Sequence, residues 1–158
     1  MDIFSQLGPE LTAIGQLFLA ALLGALIGIE RSVAGKHAGM RTYALVALGA
    51  CLFTAAGELI ALRYAEFALD PGRIASAVVI GIGFIGTGLV VLQEHRPVGI
   101  TTASGIWVAA GMGVAIAFSL YALAIAAAAL TFLVFRVFAP IEESVERGLA
   151  AQNPQERE

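Results

Sequence analysis

The stretch Asp70-Pro71-Gly72-Arg73-Ile74-Ala75-Ser76-Ala77-Val78-Val79-Ile80-Gly81-Ile82-Gly83-Phe84-Ile85-Gly86-Thr87-Gly88 decides between two folds. Gly81-x-Gly83-x-x-Gly86 after a Val/Ile run has the spacing of a dinucleotide-binding turn, where glycines admit a tight bend and a helix N-terminus receives a pyrophosphate. That reading needs a strand, turn and helix in a soluble sheet unit, with an acidic residue about 20 positions further on for the ribose. Here apolar residues surround the glycines, and past Glu94 no carboxylate follows until Glu142. The stretch therefore reads as a membrane helix. Pro71 suits its first turn, where the missing N–H costs little, and Asp70 suits its N-cap.

Outward from this helix, the whole chain has the same character. Of 158 residues 59% are hydrophobic and 13% charged, and the mean hydropathy is +0.87, far from a soluble globular composition. Nine basic residues scattered between apolar blocks make no basic face, so no nucleic-acid partner is implied. Cys51 is the single cysteine and lies in an apolar block, which leaves no disulfide, CxxC pair or zinc cluster within one chain. It reads as a small buried apolar residue. Asp2 and Glu10 replace the basic n-region of a signal peptide, so the first span is expected to stay.

A bilayer span needs ~20 mainly apolar residues, because backbone groups in hydrocarbon must be bonded within the helix. The first span runs from about Leu11 to Ile29 and ends at Glu30-Arg31, before a polar loop with Lys36, His37 and Arg41. The second runs from Tyr43 to Leu62, the third from Ile74 to Leu92, where Gln93 to Pro97 forms a polar turn. The uncharged stretch from Ala103 to Phe135 would be ~50 Å long as one helix, too long for a ~30 Å core. A tight connection near Phe118 to Tyr121 gives a fourth helix from Ala103 and a fifth ending near Phe138. A hairpin dipping into the membrane is the alternative for part of this region. The expected fold is an all-α, compact bundle of five transmembrane helices over residues 1–140, followed by a short polar tail over 141–158. Arg31, Lys36, Arg41, Arg96, Arg136, Arg147 and Arg157 fall on one side, which the positive-inside bias makes cytoplasmic, so the N-terminus is expected outside.

Small residues let membrane helices approach closely. Gly24 and Gly28, the set Gly81, Gly83, Gly86 and Gly88, and Gly105, Ala109 and Gly113 are the packing candidates, with an oligomer in view. Charges at membrane depth are costly unless paired or interfacial. Glu30, Arg31 and Arg41 lie at cytoplasmic helix ends, where interfacial anchoring explains the arginines, and Glu58 is expected to reach the outer interface. Arg73 in a first turn opposes the helix dipole, which favours a carboxylate or anion as its partner. Thr101 or Thr102 is expected to N-cap the fourth helix, with Trp107 about a turn further in. Asp70, Glu66 and Glu58 carry oxygens of the kind Mg2+ prefers, yet no spacing compels a shared site, and neither a metal site nor a cofactor is assigned. No Ser/His/Asp set, Cys/His pair or HExxH occurs, and His37 and His95 read as solvated loop residues, so no enzyme is expected.

Four segments together resemble the MgtC/SapB family of bacterial inner-membrane proteins: Gly24 to Arg31, Ala38 to Thr42, Asp70 to Gly88, and Gly99 to Ala103 with Trp107. The positions carrying the resemblance are Glu30, Arg31, Arg41, Thr42, Asp70, Arg73, Gly81, Gly83, Gly86, Gly88, Thr101, Thr102 and Trp107. Met40 and Ile100 stand where the family pattern has Leu, and both keep an apolar residue. The resemblance implies a bundle of about five helices with the N-terminus outside, and it places an ACT-like C-terminal domain in longer members for which this chain is too short. It also implies links to low-magnesium adaptation, host-cell survival and acid stress, and partners such as membrane subunits of the F-type ATP synthase.

Two functions follow. The first is a non-enzymatic inner-membrane regulator that binds partner helices in the bilayer; the alternative is a small-ion transporter or channel working as a homo-oligomer. On the first reading Glu30, Arg31 and Arg41 should gather near one membrane face and Asp70 and Arg73 near the other.

Overall fold

A computed structural model describes residues 3–36, 38–64, 70–93 and 96–152. Five helices follow one another: α1 (Ile3–Val33), α2 (Met40–Arg63), α3 (Pro71–Leu89), α4 (Ile100–Ala117) and α5 (Tyr121–Gln152). A two-stranded antiparallel ribbon, β1 (Val91–Gln93) with β2 (Arg96–Val98), links α3 to α4. All five helices are long and apolar enough to cross a membrane. The fold is an all-α, five-helix membrane bundle.

The centre of the bundle is α4, with 56% of its span residues buried against 6% for α3. Its small residues explain the position. A side chain at Gly113 would collide with the Ala47 carbonyl oxygen of α2, and one at Gly105 with the Tyr43 hydroxyl and the Phe135 ring. Between α1 and α2 the fit is equally close: a Cβ at Gly24 would lie 2.5 Å from the Tyr43 oxygen, and one at Gly28 2.6 Å from the Met40 Cα. These helices touch backbone to backbone.

The α1–α2 turn closes through Gly35, whose φ of +67° suits a residue without a Cβ. There the Lys36 N–H donates to the Arg31 oxygen at 3.0 Å, and Met40 N–H donates to Ser32 Oγ at 3.0 Å. The α4–α5 turn falls at Phe118–Leu120, and Ser119 takes a left-handed φ of 58°. Gln16 of α1 holds this turn from the side. Its Nε2 lies 3.0 Å from the Ala117 oxygen, 3.2 Å from Ser119 Oγ and 3.3 Å from Tyr121 Oη, so three acceptors share two N–H donors. The uncharged region thus forms two full helices instead of a dipping hairpin. Beyond its membrane part α5 continues through Pro140 to Gln152 as the same helix.

Three expectations need correction. The third helix stops at Leu89, not Leu92, because Val91 to Gln93 turn into the ribbon. The N-cap of α4 is Gly99, not Thr101 or Thr102, which both lie in its first turn. Gly99 has φ +91° and packs on the Leu89 carbonyl oxygen, a place no side chain could occupy, and its own oxygen accepts from Ala103 N–H at 2.9 Å. Finally, Gly81, Gly83 and Gly88 have nothing within 4 Å of a built Cβ, and Gly86 meets only Ala103 at an ordinary 3.8 Å. Among the described residues Gly81, Gly83, Gly86 and Gly88 of α3 make no close packing contact. Gly83→Ala is therefore expected to raise the stability of the detergent-solubilised protein by about 0.5–1 kcal/mol, the helix-propensity gain. Thermal unfolding measures it, and a loss of stability would mean that the position is occupied.

Candidate functional site

The polar residues of the bundle gather at its two ends. At the first end α1 finishes with Glu30 and Arg31. Arg31 is 3% exposed, although its residue type is almost never buried unless paired. Its Nε donates to Glu30 Oε2 at 2.5 Å, and its Cζ lies 3.9 Å from the centroid of the Phe135 ring of α5, a cation–π arrangement. Phe135 in turn meets Tyr43 of α2 edge to face, with centroids 6.4 Å apart and planes at 85°. The fully buried Tyr43 donates from its hydroxyl to the Thr102 carbonyl oxygen of α4 at 3.2 Å. One chain of contacts, Glu30–Arg31–Phe135–Tyr43–Thr102, therefore ties four helices together.

Arg31 is consequently a buried residue, packed into the bundle at the last turn of α1. Its position follows from the glycines, since Gly24, Gly28 and Arg31 recur at helical spacing on the α1 face that meets α2. Arg41 remains exposed, Thr42 is half-buried, Thr101 and Trp107 are exposed, and Thr102 is buried. Arg41, Thr42, Thr101 and Thr102 share this end with Arg31, Trp107 lies about two turns into α4, and none of them has a hydrogen bond to Arg31 among the described residues.

At the other end Asp70 caps α3 as expected, its Oδ1 accepting from Gly72 N–H at 2.9 Å. Asp70 and Arg73 are both exposed. A Cβ at Gly57 would meet Ile74, which places the start of α3 beside the last turns of α2. Arg63 and Glu10 also pair here, at 2.5 Å but nearly half exposed, so the pair adds little stability. From Tyr43 to Gly57 the rise along α2 is about 21 Å. Glu30, Arg31 and Arg41 are thus separated from Asp70 and Arg73 by most of a membrane thickness. Glu58 is half-buried in α2, while Glu66, His37 and His95 lie outside the described residues. Among the described residues no three His, Cys, Asp or Glu side chains converge as metal ligands.

Tyr43, Phe135 and Gln16 are the participants that sequence reasoning did not single out. For Gln16 a signal existed, because an amide inside an apolar span must find partners there.

Five crossing helices with a buried Arg–Glu pair define a multi-pass α-helical membrane protein. Within that class the chain belongs to the MgtC family, whose model matches residues 17–144. It is 42% identical over 126 residues to "Putative magnesium transporter YhiD" of Escherichia coli, covering 78% of this chain and 59% of that protein. Protein MgtC of Salmonella typhimurium is 43% identical over 98 residues, which is 62% of this chain and 40% of the relative. An uncharacterized protein of Haemophilus influenzae is 36% identical over 111 residues, covering 67% and 47%. The chain spans only about half the length of these curated relatives. No solved structure matches it.

Proposed function

We propose that the protein is a non-enzymatic regulator of the bacterial inner membrane, linked to low-magnesium, acid or host-cell stress, that acts by binding a transmembrane helix of another membrane protein. The observation that carries this reading is the outward face of α3. Ile80, Gly83, Phe84 and Thr87 recur there at helical spacing, Phe84 is 86% exposed, and Gly83 meets nothing within 4 Å. A glycine costs helix stability, and an open one beside a protruding ring makes a groove and ridge for a second helix. Membrane subunits of the F-type ATP synthase are the partners this reading puts forward. The N-terminus faces out on the positive-inside bias. The Escherichia coli relative carries a transporter name, which supports the second reading, ion movement through an oligomer.

A photo-crosslinking side chain at Phe84 separates the readings in cells. A discrete adduct with a subunit of one membrane complex is expected, and Gly83→Leu should abolish it. Crosslinks to lipid alone, or only to a second copy of the chain, would contradict the regulator reading.

A further inference from the structure

On a different face, α2 and α3 stand apart. A groove of about 480 Å³ runs between them, lined by Val46, Gly49 and Phe53 of α2 and by Ile74, Gly81 and Ile85 of α3 among other apolar residues. Among the described residues that line it none carries a polar side chain, so water entering it finds no side-chain hydrogen-bond partner there, while an empty groove forfeits the dispersion contacts of its walls. In a bilayer an acyl chain meets both conditions. Ala77 of this groove also lines a hollow of about 430 Å³ with Asp70, Gly72, Arg73, Ser76 and Ile80. Through Ala77 the apolar slot adjoins a hollow that holds two opposite charges and a hydroxyl.

The charges at that end are only partly used. Asp70 commits Oδ1 to the Gly72 N–H. The Arg73 side chain makes no hydrogen bond or ion pair with any described residue, and it sits in a first turn, where the helix dipole disfavours a cation. An anion at Arg73 relieves that conflict, and a cation beside it completes Asp70. A phosphoethanolamine headgroup supplies both, joined to acyl chains.

We propose that the α2–α3 groove binds one phospholipid with a phosphoethanolamine headgroup, an acyl chain lying along Val46, Gly49, Gly81 and Ile85, the phosphate at Arg73 and Ser76, and the ammonium at Asp70. The slot residues Gly81 and Ile85 lie on a different side of α3 from Phe84, whereas Arg73 and Ser76 fall in helical register with Ile80, so the headgroup hollow adjoins the partner-binding face while its test, lipid retention, reads independently of the Phe84 crosslink.

Native mass spectrometry tests it. The purified protein is incubated with equimolar phosphatidylethanolamine, phosphatidylglycerol and phosphatidylcholine and released from detergent. One retained phosphatidylethanolamine is expected. Arg73→Gln should lower its bound fraction about tenfold, the value of a charge-assisted hydrogen bond. Asp70→Asn, which keeps a capping side chain, should remove the preference over phosphatidylglycerol. Gly81→Leu has room at its Cβ and should fill the groove, lowering retention of all three lipids. Equal retention of the three lipids by the wild type, or retention unchanged by Arg73→Gln, overturns the proposal. So does a protein dimer that Gly81→Leu dissociates with lipid retention unaltered. The Arg73 and Asp70 variants change exposed side chains, so the headgroup arm decides even if Gly81→Leu accumulates poorly.

Discussion

Arg31→Met is expected to destabilise the protein by about 3–5 kcal/mol, the usual cost of breaking a buried ion pair from one side. Arg31 is 3% exposed, and its only ion-pair partner among the described residues is Glu30. Removing the guanidinium leaves the Glu30 carboxylate uncompensated in an apolar setting and also removes the cation from the face of Phe135. The same reasoning predicts rescue. In the double variant Glu30→Gln/Arg31→Met no charge is stranded, and most of the loss should be recovered, because replacing both members of a buried pair is often close to neutral. Arg31→Lys should fall between, since an ammonium lacks the planar surface that stacks on an aromatic ring. Equilibrium unfolding in detergent measures all three. Equal losses in the single and double variants would show that the pair is not the source of the cost.

The second large effect is expected at the central glycines. Gly113→Ala places a methyl group on the Ala47 carbonyl oxygen, and the same substitution at Gly24 places one 2.5 Å from the Tyr43 oxygen. Both obstacles are backbone atoms inside helices, so neither can rotate away. Each substitution should cost about 1–3 kcal/mol by overpacking, and Gly113→Leu should prevent accumulation of folded protein. Fractionation of membranes with a folding-sensitive protease assay reads the result. The contrast with Gly83→Ala, expected to stabilise, is the useful control: one residue type has opposite signs according to what faces it.

That contrast also marks how far the sequence could be read. Five helices, the cap at Asp70 and the turn near Ser119 were legible because bilayer thickness limits span length and because proline, aspartate and charge have local meanings. The end of α3 was not, since Val90 to Leu92 continue the apolar run and only the tertiary fit of Gly99 against Leu89 draws the chain into the ribbon. Glycine spacing identified thin helix faces but could not say whether the neighbour lies in the same chain. For Gly24, Gly28, Gly105 and Gly113 a neighbour is present, whereas for Gly81, Gly83 and Gly88 none is found among the described residues. The Arg31 site was half legible. Its charges stood out against the apolar background, but Tyr43 and Phe135 look like any other span residues until α2 and α5 are brought together around them.

The separation of the charged residues into two ends bears on function as well as on folding. With Glu30 and Arg31 engaged in the core and Asp70 and Arg73 at the far end of α2, no described set of polar side chains converges at mid-depth, as a substrate site in a transporter usually does. Magnesium flux into liposomes holding the purified protein is the most direct measurement. The regulator reading predicts no uptake above that of protein-free liposomes, with or without Asp70→Asn; a robust flux that Asp70→Asn abolishes would contradict it.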